Sequence, residues 1–128
     1  MKVEVSNGEL LDKLSILELK LNNIKDNNKL INIKNEHSGL SPLCDNLFDN
    51  YGNELRNLYV RLSEINAELW KIEDDIRECE RNNDFGDEFI SLARAVYFTN
   101  DKRSDVKKSI NILTQSGFVE EKSYEDYN

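Results

Sequence analysis

Proline occurs once in these 128 residues, histidine once, cysteine twice and glycine five times. So few chain breakers favour long helices over a sandwich or barrel, whose many short strands need frequent turns. No apolar run approaches the roughly 18 residues that span a bilayer, and Met1 to Val5 lacks the apolar core of a signal peptide. The expected location is therefore the cytoplasm, without membrane insertion. No run of five basic residues exists and the net charge is -8, so a phosphate backbone is repelled and nucleic acid is not an expected partner. A single histidine, His37, far from Cys79, excludes a zinc site of the usual kind. There is no glycine-rich phosphate loop, and no pairing of a serine or cysteine nucleophile with a base is visible in the sequence. No cofactor and no metal are expected.

What is present is helical. Charged residues make up 33% and hydrophobic ones 38%, a balance that suits long helices wetted on one side. From Cys44 the chain steps by four and three through Phe48, Tyr51, Leu55, Leu58, Leu62, Ile65, Leu69, Ile72 and Ile76 to Cys79. This heptad seam keeps one stripe facing a partner helix. Read as one straight rod it is on the order of 50 Å long, which sets the two cysteines too far apart to bridge and leaves them as reduced thiols.

The same stepping marks a first helix through Leu10, Leu14, Leu17, Leu21 and Ile24, with Ile31 on its continuation. Ser6 and Glu9 form its capping box. Leu11, Ile16 and Leu19 widen its apolar face. The stretch Lys25 to Lys29 is a place where that helix kinks. Gly39, Ser41 and Pro42 read as the first turn, and Arg81 to Asp84, with Asp84 as cap, as the second. The expected fold is all-α, a single helical domain over 1–128: an elongated antiparallel three-helix bundle with coiled-coil-like helices at about 7–37, 42–82 and 84–115. A short N-terminal strand at Lys2 to Val5 and an extended C-terminal tail complete it. Along the third helix, Asn100 and Arg103 sit where the stripe should be apolar, and Ser116-Gly117 closes it.

Helices running up, down and up bring the start of the first beside the end of the second and the start of the third. That end gathers Glu9, Asp12 and Lys13 with Trp70, Glu73, Asp74 and Arg77, and with Arg94, Tyr97 and Arg103. One reading is a surface ion-pair network, each pair contributing about 0–1 kcal/mol. The other is a shallow pocket for a small anionic or polar ligand. In it Arg77 and Arg94 are fork-shaped donors, Asp12, Glu73 and Asp74 are acceptors or metal ligands, and Trp70 or Tyr97 is an apolar wall.

Glu9 with Asp12, and Asp75 with Glu78, resemble the paired acidic motifs of all-α nucleotide pyrophosphohydrolases, whose facing carboxylates bind magnesium. The order and residue types differ from that family's. Three helices with inward arginines are similar in architecture to the helical chorismate mutases, a likeness that implies no activity. A broader resemblance rests on Val3 to Lys20, on Leu69-Trp70-Lys71-Ile72-Glu73-Asp74-Asp75-Ile76-Arg77, on Phe89 to Tyr97 with Asn100 to Arg103, and on Glu120 to Tyr124. Together these resemble a family of small proteins of bacteria and phages that bears only an unknown-function label. Its placement near surface-polysaccharide and glycosyltransferase genes implies a part in glycan assembly. Two functions follow as expectations. The first is an interaction or scaffold protein that self-associates through its apolar seams as a homo-oligomer, a dimer first, or binds another protein. The second is a small-molecule-binding protein or enzyme, hydrolase-like or mutase-like, with its charged site at one end.

Overall fold

The computed structural model describes residues 1–117. It is all-α: α1 spans Asn7–Asn23, α2 Asn27–Arg81 and α3 Asp87–Leu113. The expected tail from Phe118 lies outside the described residues. No described helix is long and apolar enough to cross a membrane.

Ser6 caps α1 as the sequence indicates, its hydroxyl accepting from the Glu9 N–H at 3.1 Å. The expected strand at Lys2 to Val5 is absent: these residues precede α1 as irregular, exposed chain. A strand needs a neighbour to pair its backbone groups, and every described element is a helix.

The first turn is also corrected. The chain leaves its first helix at Ile24 to Asp26, not at Gly39 to Pro42, and α2 runs on through both of the latter residues. Asp26 decides this locally. Its carboxylate accepts from the N–H groups of Asn28 at 2.9 Å and Lys29 at 3.1 Å, a side-chain cap that starts α2 fifteen residues earlier than expected. Pro42 is tolerated inside the helix because it is exposed, as is Ser38, whose carbonyl its ring deprives of a partner.

Gly52 overturns the straight rod. Its φ of 61° and ψ of -143° interrupt α2, a backbone conformation open to glycine and strained for any residue with a Cβ. Phe48 and Tyr59 would lie about 16 Å apart along a straight helix, yet their ring centroids are 5.3 Å apart. The Arg56 guanidinium sits 4.8 Å from the Phe48 ring. Thus α2 is two limbs, 27–51 and 53–81, and the seam folds upon itself. Most of it is consumed within the chain: Cys44, Phe48, Leu55, Leu62 and Ile65 join Leu11, Leu14, Val106 and Ile110 in one core.

The second turn falls at Asn82 to Gly86. Asn83 takes a positive φ, and Gly86, not Asp84, is the N-cap of α3. Asp84 instead accepts from the Gly86 N–H at 3.1 Å. At the far end α3 stops at Leu113, and the left-handed residue after it is Gln115. Along α1 from Asn7 to Asp12, partners on α3 step back from Thr114 to Arg103. The two helices therefore run in opposite directions, and the start of α1 lies beside the end of α3. The expectation had placed it beside the start.

Candidate functional site

The centre of the polar architecture is Asp12, which is 1% exposed. One of its oxygens accepts from Arg103 Nε at 3.0 Å and from Asn66 Nδ2 at 2.9 Å. The other accepts from Arg103 Nη2, a fork-on-carboxylate geometry. Asn66 Nδ2 also donates to Ser15 Oγ at 2.9 Å. Lys107, buried one turn further along α3, reaches Glu9 at 2.7 Å and stands 3.9 Å from Asp12. Two anions and two cations thus neutralise one another, Asp12 and Lys107 buried and Glu9 and Arg103 reaching the surface, a pairing on which burying the first two depends.

Beyond Lys107 the polar row continues. Asn111 Oδ1 accepts from the Gly8 N–H at 2.7 Å, and Thr114 Oγ1 from Asn7 Nδ2 at 2.9 Å. Gly8 is required there. A Cβ on it would meet the Lys107 carbonyl oxygen at 2.6 Å, so the helices approach this closely only without a side chain.

Arg103, 28% exposed at its side chain, carries the cluster to the surface and into a cleft of about 440 Å³. Trp70, Leu69, Ile16 and Leu19 form its apolar wall. Asn66, Asn100, Glu73 and Asp74 add polar groups beside Arg103. The size lies within the roughly 300–1,000 Å³ of small-molecule sites, and a few polar groups on an apolar wall is the usual composition of one.

Of the residues singled out in the sequence, Trp70, Glu73, Asp74 and Arg103 line this cleft, and Asp12 lies under it, bonded to Arg103. The others lie elsewhere. Lys13 pairs with Glu36 at 2.8 Å, and that bond raises its pKa. Arg77 leans along its own helix, 3.8 Å from Glu73. Arg94 stacks over the Phe98 ring at 5.8 Å, and Tyr97 packs on Phe98. Asn66, Asn100 and Lys107 went unnoticed as site residues. The signal for two of them was present: Asn100, Arg103, Lys107 and Asn111 step by three, four and four, a polar stripe where α3 should bury apolar residues. Asn66 had no comparable mark beyond lying next to the seam residue Ile65.

Two thiols complete the reactive groups. Burial first, then Asp45 and Glu18, pushes Cys44 up to about 11. Cys79 is also raised, by burial and then by Glu88 and Asp84. Cys79, Asp84 and Glu88 bring donor atoms within 4.8 Å of one another. A thiol held protonated beside two exposed carboxylates is a weak ligand set, since a metal must first displace the proton.

A family model described as a family of unknown function (DUF6165) matches residues 1–127. No curated protein and no solved structure matches the chain.

Proposed function

The chain belongs to that family, and because its description assigns no activity, we propose from the geometry that the protein binds a small hydroxyl-rich ligand of the saccharide class in the cleft beside Trp70. One observation carries this reading: an indole on the wall of a cleft whose other polar groups are two amides, two carboxylates and one guanidinium. Sugar rings offer an apolar face to stack on an aromatic ring, and hydroxyls that both donate to carboxylates and accept from amides and guanidinium. The balance of charge points the same way. The charge of Arg103 is already matched by Asp12, and Glu73 and Asp74 face the cleft, so an anionic ligand meets no uncompensated cation there. A part in glycan assembly, implied by the resemblance noted in the sequence, accords with this ligand class.

Trp70 is the sole tryptophan, so its fluorescence reports the cleft directly. Titration with a panel of neutral mono- and disaccharides should shift the emission saturably for at least one of them. Trp70→Ala should weaken binding of that sugar about tenfold or more when followed by calorimetry. A response to quaternary ammonium ions with none to sugars would reassign the cleft to cations, and silence across the panel would end the proposal.

A further inference from the structure

At the margin of the buried seam, where Leu58 reaches the surface, the limb 53–81 and α3 enclose a second, mostly apolar groove of about 590 Å³, lined by Glu54, Leu58, Arg61, Ile112 and Leu113 among others. Ile112, the last residue but one of α3, lines the groove and is 67% exposed. Leu58 and Leu113 are half-buried and rest on the main core. An aliphatic residue this open beside two others is the kind of surface that a partner covers.

The identity of the partner follows from the charges. Glu54, Leu58 and Arg61 are spaced i, i+4 and i+7, so they share one stripe with an acid at one end, a leucine in the middle and a base at the other. Neither Glu54 nor Arg61 forms an ion pair among the described residues. A two-fold interface must be complementary to itself, with residue i meeting j and j meeting i. Turning a copy about an axis that crosses the helices at Leu58 sets Glu54 against Arg61 at both ends and leucine and isoleucine at the centre. A random stripe with two like charges would repel its own copy.

We propose that this groove is the face through which two copies of the chain associate, antiparallel, about a two-fold axis at Leu58. It lies apart from the cleft at Trp70 and shares no lining residue with it, so the pairing leaves that cleft open.

The test is sedimentation of the full chain from micromolar to millimolar concentration, with two charge reversals. The wild type should show a monomer–dimer equilibrium. Glu54→Arg alone sets Arg against Arg at both ends, and Arg61→Glu alone sets Glu against Glu, so each should weaken the dimer by about tenfold or more. The double variant E54R/R61E regains the pattern and should recover the dimer to within a few-fold. The two single variants mixed together should pair with each other better than either does alone. Because these are exposed surface positions, all four proteins should fold, which circular dichroism checks. A wild type that stays monomeric throughout overturns the proposal. So does a dimer indifferent to both reversals, or a monomer in which the amides around Leu58 and Ile112 are protected from exchange by another part of the chain.

Discussion

Two regions of this molecule use the same helical vocabulary to opposite ends. Where α1 packs on both α2 and α3, charged and amide side chains are drawn inside: Asp12, Asn66, Lys107 and Asn111 are all buried there, and most have bonded partners. Over residues 75–98, where α2 and α3 extend as a pair, only Cys79 is buried and charges face water. Aromatics there pack on one another at the surface, as Phe85 does on Phe89 and Tyr97 on Phe98. The difference is the third helix. Two helices cannot exclude water from a polar group on their outer faces, whereas a third laid across them can, and then each such group needs a partner.

The largest expected break in this contrast is Arg103→Ala. It leaves the Asp12 carboxylate buried without its guanidinium, and stability in urea should fall by about 3 kcal/mol. Asp12→Asn should cost less, because Arg103 is partly exposed and can turn to solvent. Gly8→Ala forces α1 off α3 at the Lys107 carbonyl and should cost about 1–3 kcal/mol, visible as a lower melting temperature.

Alkaline pH probes the same region through Cys44. Its thiol is protonated in both states below about pH 9, so its contribution is fully present there. As pH rises from about 9 toward about 11, the unfolded thiol ionises while the folded one keeps its proton, and stability drains away. The loss should reach on the order of 2 kcal/mol, and Cys44→Ala should flatten that part of the curve. Tyr59, raised by burial and by its bond to Glu18, adds to the loss above about pH 10 in both proteins, so the comparison isolates the thiol. In the extended pair, Arg77→Ala removes only an exposed i,i+4 contact with Glu73 and should change stability by less than about 0.5 kcal/mol. Hydrogen exchange should show amides of 75–98 opening well before those near Asp12. Equal protection in the two regions would erase the contrast.

The sequence by itself determined the helical class, the residues of the core and the cap at Ser6. Those depend on spacing within a turn or two of helix, which the chain carries locally. It also marked Asp12, Trp70, Glu73, Asp74 and Arg103, by placing polar or aromatic groups near apolar stripes. It misjudged where the rods end. Gly39 and Pro42 look like breakers, yet both are exposed and the carbonyl that Pro42 leaves unpaired can bond to water, while Gly52, inside the seam, adopts a φ that sends the seam back on itself.

Only the tertiary structure decided which polar residues meet. Asp12, Asn66 and Arg103 are 54 and 91 residues from one another along the chain, counted from Asp12, and their encounter depends on the two turns and on the bend at Gly52 together. Up-down-up packing read from the periodicity puts Arg77 and Arg94 at the same end as Asp12; in the structure Asn66 and Arg103 occupy that place. Pairing across helices is a matter of register, and register is set by the packed whole.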